Sequence, residues 1–377
     1  MKIAIDARYL SSLYSGIGVY SENLVLQLSR IDTTNQYLVI VHPTYAKSLK
    51  LGDNFRVITY HARPVSLKTL LMLPRILVQE EVDLLHSLFP LAPLFFEGNL
   101  LVTVHDLQPL LVPEFTGKRP IPIRKAYDYF YRWIYPRTLR KAKWIVAVSE
   151  ATKAYITNLF PDLKHKTIVV HSGIERDFIT GVEPFAVRKT VEKYAIPEKY
   201  LLYVGSTRPN KNLPQMIRAF AQLVKSDSQF EDLIFLMVLQ RDRFFKDCER
   251  LIDKLQLRQR VKILENLTEE EKKVVVAYAS LLFFATKYEG FGFPILEAQA
   301  LGTPVLASDC SALPEIAGSA AVLVDPDKPD KMAEGIRKIL SDDAFRTTLI
   351  KKGKTNVLRF SWEKTARQIL DIYTHLC

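Results

Sequence analysis

Cysteine is nearly missing from this chain: three occur in 377 residues (Cys248, Cys310 and Cys377), far apart and in no metal-ligand spacing. That scarcity excludes a disulfide framework and a zinc ribbon. Nowhere do eighteen apolar residues follow one another without a charge, so no helix is expected to span a membrane. The opening Met1-Lys2-Ile3-Ala4-Ile5-Asp6 puts an acid where a secretory signal needs its apolar stretch, and the expected location is the cytoplasm. His42, His61, His86, His165, His171 and His375 share no ligand spacing, so no resident metal is expected. Glycine is scarce as well, with 14 in the chain, and four of these fall in two G-x-G pairs.

What is present has the composition of a soluble globular protein, 48% hydrophobic and 25% charged, at a length that calls for two domains. Short β-branched runs alternate with helical periodicity, the pattern of parallel sheets with crossover helices. Strands are expected at 2–6, 37–41, 55–60, 82–87, 100–105, 144–148 and 167–171 in the first half. In the second half they are expected at 200–204, 233–239, 261–264, 281–285, 304–307 and 321–324. Several are apolar almost throughout, as strands covered on both faces should be. The helix expected at 269–279 has a start signal, Thr268 as N-cap with Glu271 three residues on. Apolar periodicity lapses near 181–188, which places the domain boundary at 185/186. The fold class is α/β, with two doubly wound domains.

The net charge of +11 is unevenly spread. Residues 118–144 hold nine Lys/Arg against one acid, Asp128, together with aromatics including Tyr127, Tyr129, Phe130, Tyr131, Trp133, Tyr135 and Trp144. Residues 124–143 read as a helix interrupted at Pro136. A patch of this kind points to an anionic surface, here a membrane face. Packing into the core, with the charges merely solvated, is the alternative.

Open parallel sheets bind ligands at the carboxyl ends of their strands, so motifs just after strands carry most weight. Ser15-Gly16-Ile17-Gly18 follows the first strand and precedes a helix expected from Tyr20. Glycines there let backbone N–H groups approach a phosphate. A third fingerprint glycine is replaced by Ser21, which argues against a nicotinamide cofactor. The second pair lies in Glu289-Gly290-Phe291-Gly292-Phe293-Pro294-Ile295-Leu296-Glu297, after the strand at 281–285. Pro294 suits the first helical position, which puts Glu297 in the first turn and Glu289 in the preceding loop. Two carboxylates then face one crevice, one toward a sugar and one toward ribose hydroxyls. The run Gly205-Ser206-Thr207-Arg208-Pro209-Asn210-Lys211-Asn212 sets Arg208 and Lys211 three apart at a helix start, able to neutralise a pyrophosphate without a metal. Asp325-Pro326-Asp327 has the spacing of a metal-binding D-x-D but closes a strand before a helix, so it reads as a turn.

The segment from Glu289 to Glu297 resembles the E-x7-E signature of glycosyltransferase family 4, whose members have the GT-B fold of two Rossmann-like domains facing a central cleft. Gly205–Asn212 is similar to that family's phosphate-binding loop, Ser15–Gly18 to its N-terminal glycine loop, and His105-Asp106 to its active-site pair. Phe360-Ser361-Trp362 looks like the start of its last helix, 362–377, which crosses back to the first domain, leaving 186–361 as the nucleotide-sugar domain. The resemblance implies a retaining hexosyltransferase. Its donor would be a UDP- or GDP-hexose, carrying mannose, glucose or an N-acetylhexosamine. Its acceptor would be a saccharide, in polysaccharide or glycolipid synthesis, and the basic aromatic stretch at 118–144 makes a lipid-linked one the expectation. No cofactor beyond the donor is implied. Residue by residue, Arg208 and Lys211 would hold the diphosphate and Glu297 the ribose. Glu289, with Gly290, Phe291, Gly292 and Leu296, would hold the donor sugar. Asp106 and His105 would stand at the reacting face, with Gly16, Gly18 and Gly205 giving the phosphates room.

Two departures bear on the donor. Gln240-Arg241 stands where the family often has glycine, and Val19 where many mannose-transferring members have arginine. A nucleotide-sugar epimerase, a phosphorylase and a non-catalytic nucleotide-sugar binder are the rivals. Nucleic-acid binding would leave both glycine–glutamate motifs unexplained.

Overall fold

The computed structural model describes residues 1–11, 16–45, 49–112, 115 and 120–376; Ser15, Lys118, Arg119 and Cys377 lie outside them. The chain forms two compact units, Met1–Gly173 with Phe360–Cys377, and Ile174–Arg359.

The first unit is a seven-stranded parallel sheet of order β3-β2-β1-β4-β5-β6-β7. The strands are β1 (Lys2–Asp6), β2 (Gln36–Val41), β3 (Phe55–Thr59), β4 (Leu84–Ser87), β5 (Asn99–Val104), β6 (Trp144–Ala147) and β7 (Thr167–Val169). Ile3, Ala4, Ile5, Val39, Ile40, Leu84 and Leu85 are all fully buried, which is why these segments lack polar alternation. Asp6, ending β1, pairs in the interior with Arg8 at 2.6 Å. The guanidinium also donates to Ala62 O and Thr69 Oγ1, fixing the turn that follows.

The chain's last helix, Trp362–Thr374, completes this unit by packing on the first helix, Gly16–Ile31. Its Tyr373 hydroxyl meets His86 Nδ1 at 2.7 Å, and His86 Nε2 meets Thr103 Oγ1 at 2.8 Å. The histidine thus joins β4, β5 and the last helix. Gly173 is required by the same junction, because a Cβ there would lie 2.1 Å from Trp362 N. Helix Ile121–Lys141 runs unbroken through Pro136, against expectation. Burial of Ile134, Tyr135, Thr138 and Leu139 on both sides of the proline outweighs its cost of about 3 kcal/mol.

The second unit is a six-stranded parallel sheet of order β10-β9-β8-β11-β12-β13. Its strands are β8 (Tyr200–Val204), β9 (Ile234–Val238), β10 (Val261–Leu264), β11 (Leu281–Phe284), β12 (Val305–Ser308) and β13 (Val322–Val324). Thr268 and Glu271 form the expected capping box of helix Glu269–Ala277. The unit begins at Ile174, earlier than the 185/186 divide read from the sequence. Helix Arg176–Ile179, before that divide, is drawn in by packing on helix Phe293–Leu301, and helix Pro184–Tyr194, which spans the divide, packs on Glu269–Ala277. Lys193 and Tyr194 anchor the second contact through Glu271, at 2.6 and 3.1 Å.

Candidate functional site

In the second unit the strand order reverses between β8 and β11. Connections leave these neighbours toward opposite faces, opening a crevice at their carboxyl ends. The loop after β8 and the loop after β11 both emerge there. Two asparagines of the Gly205–Asn212 segment stitch them together. Asn210 Nδ2 donates to Tyr288 O at 3.0 Å and Asn212 Nδ2 to Ala285 O at 3.0 Å, while Lys287 N donates back to Asn210 O at 2.8 Å. Asn212 takes a φ of +60° to do so, a conformation Asn tolerates.

Arg208 caps the start of a 3-10 turn, Pro209–Lys211, which Lys211 ends, and both precede helix Leu213–Ser226. Neither lies within the helix, because the left-handed Asn212 separates them from it. Arg208 is exposed, whereas Lys211 turns inward and its Nζ sits 2.6 Å from Glu289 Oε1. The two side chains are 17% and 11% exposed, so each supplies the counter-charge that the other's burial requires.

Glu297 sits differently from expectation. Gly292, at φ +119°, ends the loop and the helix begins at Phe293, so no acid occupies its first turn. The helix end is too far from Glu297 for its dipole to hold the carboxylate. A lysine does so instead: Lys272 Nζ stands 3.2 Å from Glu297 Oε1 and 2.8 Å from Glu269 Oε2. Burial opposes the Lys272 charge, but the two carboxylates overcome it and raise its pKa above the ordinary value. No motif marked Lys272, which lies in a run of charges typical of a solvated helix face.

Leu296, inside the helix, is fully buried. Phe291 is also largely buried, its ring 5.1 Å from that of Phe293. Gly205 donates its N–H to Val238 O at 3.0 Å. A Cβ there would stand 2.6 Å from the Tyr203 hydroxyl, so this glycine makes room for a packed tyrosine. Gly290 is buried in the loop between Glu289 and Phe291. Gln240-Arg241 is held by the β10 end, Arg241 N donating to Glu265 Oε1 at 2.9 Å. In the D-x-D look-alike, Asp327 N donates to Asp325 Oδ1 at 2.9 Å, the geometry of a turn.

In the first unit the order reverses between β1 and β4. Gly16 and Gly18 follow β1, but both lie inside helix Gly16–Ile31, which starts before the expected Tyr20. Gly18 is buried and Gly16 exposed, so only the latter lies open at the helix end. His105 follows β5. Its Nε2 lies 3.0 Å from Leu88 O, so Nε2 carries the proton and Nδ1 is left as acceptor. The ring meets Tyr20 edge-on at 4.7 Å, and burial brings its pKa down to about 4. Asp106 accepts from Gln108 N at 3.0 Å and from Gln108 Nε2 at 3.2 Å.

The basic stretch divides along helix Ile121–Lys141. Tyr131 and Tyr135 are core, whereas Ile121, Ile123, Tyr127 and Tyr129 are exposed. Arg137 covers the Trp133 ring at 4.6 Å, and Arg140 pairs with Asp162 at 2.9 Å. Among the described residues no helix is long and apolar enough to cross a membrane.

Two family models cover most of the chain: Glycosyltransferase Family 4 matches residues 14–178, and Glycosyl transferases group 1 matches residues 187–356. The O-antigen chain mannosyltransferase B of Escherichia coli is 27% identical over 72% of this chain and 69% of its own length. The Serotype-specific mannosyltransferase WbdA of Escherichia coli is 24% identical over 72% of this chain, but the match spans only 33% of that protein. Among solved structures, sucrose-phosphate synthase from Thermosynechococcus elongatus superposes with a TM-score of 0.77 at 21% identity, covering 100% and 98% of the two chains. Anabaena HepE in complex with UDP-glucose gives 0.75 at 19% identity over the whole of both chains. At such identities the structural likeness shows the fold.

Proposed function

Because the chain belongs to the glycosyltransferases of family 4, with their GT-B fold, we propose that it moves a hexosyl group from a UDP- or GDP-sugar to a saccharide acceptor, with retention, in polysaccharide synthesis. One observation carries the reading. Two acids spaced as E-x7-E stand at a strand-switch crevice, each ion-paired with a lysine from a different element. A nucleotide donor needs that set: cations for its diphosphate, a carboxylate for ribose hydroxyls and a second carboxylate by the sugar. The mannosyltransferase names of the relatives favour mannose as the sugar and a surface polysaccharide as the product.

The donor diphosphate takes Lys211 and Arg208 as counter-ions, displacing Glu289 from Lys211 and freeing its carboxylate for the sugar. As the glycosidic bond breaks, negative charge grows on the departing phosphate and both cations bind it more strongly than in the ground state. These cations serve in place of a metal. His105 stays neutral and accepts a sugar hydroxyl through Nδ1. The acceptor hydroxyl attacks from the face the diphosphate leaves and passes its proton to the departing phosphate oxygen, which preserves anomeric configuration. Exposed Ile121, Ile123, Tyr127 and Tyr129, with Arg124, Lys125 and Arg132 on the same helix, support a lipid-linked acceptor met at an anionic membrane surface.

A thermal-shift screen of UDP, GDP and ADP with their sugars tests the reading. A cognate donor at about a hundred times its dissociation constant stabilises by roughly 2.7 kcal/mol. Absence of a shift with every nucleotide and sugar nucleotide rejects it.

A further inference from the structure

Ser311, in the turn after β12, takes a φ of +59°, although serine has a Cβ and the left-handed region costs it free energy. Such a conformation persists where the surroundings hold it. Here the hydroxyl does so from both sides of one residue, accepting from Glu289 N at 3.0 Å and donating to Glu289 O at 2.5 Å. One side chain thereby satisfies both backbone groups of Glu289. The Cys310 thiol beside it adds a weaker contact to Lys287 O at 3.4 Å, tying the same two loops. Glu289 extends from this fixed backbone to Lys211, at 2.6 Å.

We propose that Ser311 is a positioning residue for sugar transfer. Its strained backbone is retained because that conformation alone brings the hydroxyl to bear on Glu289, and so sets where the Glu289 carboxylate stands. Ser311 itself touches no substrate in this scheme. The inference rests on the role given above to Glu289.

Ser311→Gly and Ser311→Ala separate the hydroxyl from the strain. Both remove the clamp, whereas only glycine relieves the positive φ. Stability therefore follows the Cβ, with the alanine variant melting below the glycine variant. Catalysis follows the hydroxyl. In both variants kcat falls about ten- to hundredfold, while the affinity for the sugar-free nucleoside diphosphate stays within about threefold. A readout free of activity accompanies these: amide exchange across residues 288–293 becomes faster in both variants. Wild-type kcat in the glycine variant would overturn the proposal, since the hydroxyl would then be dispensable. Unchanged exchange protection in both variants would overturn it too. A wild-type chain with no transferase activity would instead reject the functional reading, and the exchange result would still decide whether Ser311 holds Glu289.

Discussion

Lys211 Nζ lies 2.6 Å from Glu289 Oε1, joining residues 78 apart in sequence across the switch between β8 and β11. This contact is a competitor for the donor, since the diphosphate and Glu289 want the same ammonium. Glu289→Gln is expected to bind nucleoside diphosphate two- to tenfold more tightly than the wild type while its turnover falls at least about a hundredfold. Calorimetry and initial rates measure the two. A parallel fall in both would mean that Glu289 helps bind the nucleotide.

Glu297→Ala removes the proposed ribose contact but leaves Lys272 its other partner, Glu269, at 2.8 Å. Nucleoside diphosphate affinity should drop about ten- to hundredfold, as for loss of a hydrogen bond to a charged group. The fold should survive. Lys272→Met leaves Glu297 buried without the cation that holds its carboxylate. Nucleotide affinity of that variant should fall as in Glu297→Ala, and Lys272→Arg should restore it. Unchanged affinity in Lys272→Met would show that Lys272 does not hold Glu297 in place for the ribose.

Arg208→Ala and Lys211→Ala should each reduce kcat more than donor affinity, because the phosphate charge they stabilise grows during bond cleavage. Wild-type turnover should also persist in EDTA. Activity lost to chelator and regained with manganese would replace the two cations by a metal as the main stabiliser of the leaving group.

His86 and His105 are held neutral, burial bringing their pKa values down to about 3 and about 4. In the unfolded chain they titrate near 6.5. Between that value and the folded pKa the unfolded state binds more protons, so stability is complete above about pH 6.5 and falls as the pH is lowered through 5 toward 4. Each histidine contributes a slope of about 1.4 kcal/mol per pH unit. Urea melts across this range measure it, and His86→Asn should flatten the curve. An unaltered slope in that variant would mean that His86 titrates normally.

On the exposed part of helix Ile121–Lys141, Arg124, Lys125 and Arg132 should each add about 1 kcal/mol of attraction to an anionic bilayer. Sedimentation with anionic vesicles should weaken with salt and drop when these three become glutamate. Equal binding to neutral vesicles, or none to anionic ones, would leave an acceptor met in solution.

The sequence by itself determined the thirteen strands found among the described residues and their parallel arrangement. Segments such as Ile3–Ile5 and Leu281–Phe284 are apolar on both faces, and only a strand covered on both sides can be so. It also determined that Arg208, Lys211 and Glu289 collect at strand ends, because glycine-containing loops directly after strands have nowhere else to go, and that Glu297 follows in the helix the second of these loops leads into. Tertiary structure alone decided how the charges pair. Lys272 and Ser311 carry no motif; Lys272 becomes a partner of Glu297 only when helix Glu269–Ala277 packs on helix Phe293–Leu301, and Ser311 of Glu289 only when the turn after β12 meets the loop after β11. It likewise decided where the units divide, at Gly173, and that Pro136 continues its helix. Both outcomes come from burial against elements far along the chain, and local propensity contains no record of that.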